Sequence, residues 1–145
     1  MDAKKAHNHD MTTAVNLLRR EIKGLVAVYV YGTYGTEYER NDSDVDMAFL
    51  SDENVDVTKR IRLMTDLAGI FDRDVDLIDL KKVSTVMRAN VIANARCIFD
   101  GDTEERERFE MYAYSSYALL NEERAGILED IKARGGIYAW KKCRL

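Results

Sequence analysis

Residues 25–50 read LVAVYVYGTYGTEYERNDSDVDMAFL, and the fold follows from the punctuation of this stretch. Leu25 to Tyr31 is an unbroken apolar run rich in valine and tyrosine, the composition of a buried strand. Gly32 ends it, and Gly32 to Ser43 is a polar turn region with a second glycine at Gly35. Asp44 to Leu50 alternates at first and ends apolar, as in a strand that emerges from a core at one end. The connection is too short for a crossover helix, so the two strands are expected to pair antiparallel.

On the N-terminal side, Ala14, Leu17, Leu18 and Ile22 repeat at helical spacing and predict a helix from Met11 to Lys23, capped by Thr12 or Thr13 and stopped by Gly24. Residues 1–10 are polar and read as a flexible N-terminal segment. His7 and His9 sit there with no third ligand nearby, so the pair reads as part of that segment and not as a metal site. On the C-terminal side, Val57, Ile61, Met64, Ala68 and Phe71 mark one face of an amphipathic helix. Asp74 to Leu80, DVDLIDL, is a strand or strand end. Val83 to Ala95 predicts a helix and Arg96 to Phe99 a short edge strand. Glu104 to Ala133 reads as one long helix, followed by Gly135 and Gly136. Its stripe of Phe109, Tyr112, Tyr117, Leu120, Ile127, Leu128 and Ile131 is expected to face the core. The chain is thus one α+β domain over 11–135, a small sheet packed against helices with a long C-terminal helix, and a tail at 136–145.

Composition narrows the functions. The 145 residues carry 22 basic and 26 acidic side chains, a formal net charge of −4. That balance argues against a basic groove for nucleic acid. No stretch approaches the roughly 20 apolar residues of a membrane helix. The two cysteines, Cys97 and Cys143, are far apart and read as buried or idle thiols of a reducing compartment, so a cytoplasmic protein is expected. Proline is absent, which permits long helices.

The chemistry concentrates between Gly32 and Asp56. Glu37, Glu39, Asp42, Asp44, Asp46, Asp52, Glu53 and Asp56 crowd there against Arg40 alone. Asp44 and Asp46 project from one face of a strand, about 6.5 Å apart by strand rise. Carboxylates so placed repel unless a cation lies between them. An all-oxygen set suits Mg²⁺, with Mn²⁺ as the alternative, and such a pair can bridge two divalent ions. Gly32 and Thr33 follow a buried strand where a side chain would obstruct an approaching phosphate, and backbone N–H groups of the turn can face its oxygens. The competing interpretation of these residues is an acidic hairpin with no ligand.

Gly32-Thr33, ten residues, then Asp44-Val45-Asp46, set between two hydrophobic strands, closely resembles the Gly-Ser…Asp-x-Asp signature of the polymerase-β-like nucleotidyltransferase superfamily. The small size is similar to its minimal nucleotidyltransferase (MNT) branch. The later DVDLIDL segment with Ser84-Thr85-Val86, and the long Tyr-, Leu- and Glu-rich helix, are similar to the MntA-like antitoxins of HEPN/MNT toxin–antitoxin pairs. The resemblance spans roughly residues 15 to 132, with Thr33 standing where the family usually has Ser. It implies the polymerase-β-like fold with a mixed sheet, ATP as substrate, and two Mg²⁺ ions bound by Asp44 and Asp46. The motif spacing selects these two over Asp42. The third family carboxylate corresponds to Asp76, with Asp74 on the same strand face as its rival and Asp79 on the other face as a solvated strand end. The implied activity is AMP transfer from ATP onto a tyrosine of a partner HEPN ribonuclease toxin, in a hetero-oligomer. A non-catalytic antitoxin that inhibits by binding alone, and a small-molecule nucleotidyltransferase, are the alternatives. Lys81, Lys82, Arg88 and Arg96 read as solvated charges, and Tyr138 with Trp140 as either a partner patch or packing.

Overall fold

The computed structural model describes residues 3–40 and 42–133. Gly135, Gly136, Tyr138, Trp140, Cys143 and the tail at 136–145 lie outside the described residues. The order of elements is α1 (Ala3–Glu21), β1 (Leu25–Tyr31), β2 (Val45–Ser51), α2 (Val57–Phe71), β3 (Val75–Asp79), α3 (Thr85–Asn94), β4 (Arg96–Asp100) and α4 (Thr103–Ala133). The four strands form one sheet in the order β3-β2-β1-β4. β1 is antiparallel to both β2 and β4, as the short connection after Tyr31 required. β3 joins β2 in parallel, with α2 as the crossover, so the sheet is mixed.

Strand alternation divides the core in two. Val28 and Val30 of β1, Val45, Met47 and Phe49 of β2, and Val75 and Leu77 of β3 pack with Leu17, Leu18 and Ile22 of α1 and Leu63, Leu67 and Phe71 of α2. The intervening residues Ala27, Tyr29, Ala48 and Leu50 face the other side, with Leu80, Val91 and Phe109. α3 and α4 cover that side. The helix ends follow local chemistry. Asp56 accepts from the Lys59 N–H at 2.8 Å to cap α2, and Ser84 accepts from the Met87 N–H at 3.1 Å to cap α3.

The structure departs from the sequence expectations in four places. First, α1 begins at Ala3, so residues 3–10 are helical rather than flexible, and it ends at Glu21, ahead of Gly24. His7 packs edge-on against Tyr34 with ring centroids 4.8 Å apart, a tertiary contact that holds the polar first turns in place. Second, the stripe of α4 is not buried: Tyr112, Ile127 and Leu128 are exposed, Phe109, Tyr117, Leu120 and Ile131 are half-buried, and the buried residue of the helix is Ala113, outside the stripe. Phe109 alone of that stripe reaches the core cluster on its face. Third, Asp79 does lie on the opposite face from Asp76 but is only 6% exposed, and accepts from the Lys81 N–H at 3.0 Å. Fourth, Arg88 is buried rather than solvated: its Nε donates to the Leu80 carbonyl at 2.7 Å and its Nη2 to those of Lys81 and Val83. Lys82 likewise has a structural contact, Nζ donating to the Val55 carbonyl at 2.6 Å.

Candidate active site

The sheet pairing assembles the carboxylates. In the register of β1, β2 and β3, Tyr31 lies opposite Asp46 and Asp46 opposite Asp76. The three side chains therefore project from the same face, the one shared with Ala48 and Tyr29. Asp44 precedes Asp46 by two residues and joins that face at the strand entrance. Asp44 and Asp76 are exposed and Asp46 is half-buried. Burial pushes the Asp46 carboxyl above the ordinary carboxylate range, and the charges of Asp76 and then Asp44 push the same way. The two predicted partners are thus close enough to disfavour ionised Asp46.

Asp74, the rival to Asp76, is also exposed and stands one step before β3, where its carbonyl accepts the Val45 N–H at 2.9 Å. Its charge is not among the causes that raise Asp46, whereas that of Asp76 is. Asp42 sits in the exposed turn ahead of β2.

Gly32 is required twice over. Its φ of 73° is a left-handed conformation that favours glycine. A Cβ at that position would also run into the Asp46 carboxylate oxygen Oδ2. Gly35 has a φ of 75° as well, so two left-handed glycines bracket Thr33 and Tyr34. Thr33 is exposed, and its carbonyl is tied back by the Thr36 N–H at 2.9 Å. That bond closes a tight turn directly beside Asp46.

Sequence reasoning missed the residues that hold this loop. Glu39 is their hub. It accepts from the Gly35 N–H at 3.2 Å and from Arg73 Nη1 at 2.7 Å, with His7 Nε2 at 3.5 Å. Arg73 also lies over the Tyr34 ring at 5.3 Å, and that ring packs edge-on against Phe71. From the far edge of the sheet, Arg96 Nη2 donates to the Tyr34 carbonyl at 2.6 Å. The loop is thereby pinned to α1, α2 and β4 at once. Its clustered acidic residues signalled chemistry, but Glu39 serves architecture. Glu39→Ala is expected to leave a half-buried guanidinium and an N–H without their acceptor and to cost about 1–3 kcal/mol. A lowered urea midpoint at unchanged slope would register it.

Among the described residues no three His, Cys, Asp or Glu side chains form a ready-made metal cage. An open, oxygen-only set fits Mg²⁺, which keeps waters and takes substrate phosphates as ligands beside one or two carboxylates. The raised Asp46 carboxyl fits too, since a cation offsets both the burial and the neighbouring charges that raise it.

A mixed sheet with helices on both faces, opening a glycine turn onto paired carboxylates, is the fold of a minimal nucleotidyltransferase. Residues 13–104 match the family described as Polymerase beta, Nucleotidyltransferase, and the chain belongs to it. It is 34% identical over 119 residues to the protein adenylyltransferase MntA of Shewanella oneidensis, covering 82% of this chain and 85% of that relative. A chain of the tri-AMPylated Shewanella oneidensis HEPN toxin in complex with MNT antitoxin superposes with a TM-score of 0.72 at 31% identity, over 87% of this chain and 98% of that one. A toxin–antitoxin structure with AMP-PNP matches with a TM-score of 0.72 at 33% identity, over 81% of this chain and 94% of that one.

Proposed function

We propose that this chain is the antitoxin of a HEPN/MNT pair and silences its partner toxin by transferring AMP from ATP onto a tyrosine of that ribonuclease. The observation that carries the reading is the register of Asp46 with Asp76 beside the left-handed turn at Gly32. The relative named protein adenylyltransferase and the AMPylated toxin complex support the same chemistry.

In this reading the Gly32–Thr33 turn cradles the triphosphate, and Asp44, Asp46 and Asp76 would hold two Mg²⁺ ions. Such ions would lower the pKa of the attacking hydroxyl and offset charge on the triphosphate. Asp76 accepts the proton of the incoming tyrosine hydroxyl. The tyrosine oxygen forms a bond to the α-phosphorus, the bond from that phosphorus to the bridging oxygen breaks, and pyrophosphate leaves. The chain's other contribution is exclusion of side chains: glycine at position 32 keeps the approach to Asp46 open. An ATP-dependent reaction fits the cytoplasmic location expected from the sequence. No helix among the described residues is long and apolar enough to cross a membrane. The test is mass spectrometry of toxin incubated with this chain, ATP and Mg²⁺. Adenylate increments on a toxin tyrosine are expected, and unmodified toxin would sink the reading.

The uncovered part of α4 is assigned to the partner. The family match ends at residue 104, so almost all of α4 lies beyond it. Residues 121–130 are exposed throughout, with Ile127 and Leu128 at 60% and 57%. Surface changes remote from a core usually alter stability by within about 0.5 kcal/mol. Ile127→Glu with Leu128→Glu should therefore leave the isolated chain's melting temperature nearly unchanged. Loss of co-purification with the toxin is the expected result, at least about a tenfold weakening, as for truncation of apolar anchors.

A further inference from the structure

Tyr31 ends β1 immediately before the glycine turn, and its hydroxyl is buried without a hydrogen-bond partner among the described residues. Register places it beside Asp46, with Asp76 on the next strand. Its neighbour on the same strand face, Tyr29, is different: that hydroxyl donates to Glu110 at 2.7 Å. A buried donor left unpaired costs stability, so two tyrosines of one strand show opposite treatment of the same group. Burial, then the charges of Asp76 and Asp46, push the Tyr31 hydroxyl up to about 12, so it remains a donor in the neutral range.

We infer that Tyr31 is a positioning residue for the Asp46–Asp76 pair: when the site is loaded, its O–H donates to the Asp76 carboxylate and fixes that side chain toward the cation. The inference rests on the nucleotidyl-transfer reading above. It is independent of the motif, which begins one residue later at Gly32. Donors that orient a ligating carboxylate are typically worth about 10–100-fold in metal affinity or activity. The strand geometry supplies the direction, because Tyr31, Asp46 and Asp76 share one face at one level of the sheet.

The experiment titrates Mn²⁺ into the full chain held with AMP-PNP and measures the metal dissociation constant beside the melting temperature of the ligand-free protein. Tyr31→Phe keeps the ring and removes the donor. It should weaken Mn²⁺ binding about tenfold while the ligand-free melting temperature rises or holds. Tyr29→Phe should do the reverse, lowering the melting temperature by removing the hydrogen bond to Glu110 while leaving Mn²⁺ affinity unchanged. Placed in an Asp76→Asn background, Tyr31→Phe should add no further loss, since neighbours acting through one group are non-additive. Unchanged Mn²⁺ affinity in Tyr31→Phe, or a full additional loss in the Asp76→Asn background, would overturn the assignment. A wild-type chain that binds neither AMP-PNP nor Mn²⁺ would instead overturn the nucleotidyl-transfer reading, and this assignment with it.

Discussion

Asp46→Asn is expected to give a protein that is more stable without ligand than the wild type and is inactive in AMP transfer. The Asp46 carboxyl is held above its ordinary range by burial and by Asp76 and Asp44, so its ionised form is disfavoured in the fold. A carboxyl whose folded pKa exceeds the unfolded value of about 4 favours the fold below that value and loses this contribution as pH rises through the folded pKa. As pH rises the wild type therefore comes to carry a half-buried charge beside two like charges, and the asparagine variant does not. The melting temperature of the variant should exceed that of the wild type at pH 7, and the gap should close below about pH 4. Mg·ATP should raise the wild-type melting temperature by ligand linkage, with EDTA removing the effect. The variant should show no such rise and lose transfer by at least about a hundredfold, the scale of removing one electrostatic stabiliser from a reacting phosphoryl group. Calorimetry across pH, with and without Mg·ATP, checks both halves. A variant that is no more stable and binds Mg·ATP as well as wild type would mean that the site lies elsewhere.

The strands and the turn were legible because their signals are local. Valine- and tyrosine-rich runs on either side of Gly32 determine β1 and β2, and the short gap between them determines their direction. The start of α1 was not legible, since residues 3–10 carry no apolar stripe. What keeps them helical is remote in sequence: Tyr34 and Glu39 against His7. Periodicity in α4 reports which residues share a face, not what covers them, and Ile127 and Leu128 prove uncovered among the described residues. The charge run also concealed a division of labour. Glu39 and Asp79 are spent on internal bonds, to Gly35 and Arg73 in one case and to Lys81 in the other, while Asp44 and Asp76 stay exposed. Nothing in composition separates the two groups. The separation comes from strand register and turn closure, which a single sequence does not display. The same reason hid Tyr31, since its proximity to Asp76 spans three strands.

Asp76→Asn should separate binding from chemistry. The aspartate is directly opposite Asp46 in the parallel pairing of β2 with β3, so it reaches the same cluster from a neighbouring strand. It stands outside the Gly32–Asp46 segment proposed to cradle the triphosphate, and it is exposed. Its loss should weaken binding of the ion that Asp76 would hold, the one Tyr31 acts through, and leave most of the triphosphate affinity, which the proposed reading assigns to Asp44, Asp46 and the glycine turn. Transfer to the toxin tyrosine should fall by at least about a hundredfold, the usual scale of deleting a proton acceptor. Asp74→Asn should be much milder, because that residue precedes the strand and its carbonyl, not its carboxylate, is engaged by Val45. Asp79→Asn should act on stability instead, by weakening the cap on the Lys81 N–H and the contact with Lys82 at 4.0 Å. Single-turnover transfer and Mg·ATP binding, measured side by side on the three variants, distinguish these roles. If Asp74→Asn were the inactive variant while Asp76→Asn transferred normally, proton acceptance would belong to the residue two positions earlier. The pairing of Asp46 with Asp76 would then be architectural, and the attacking hydroxyl would enter from the open end of the sheet, beyond Asp44.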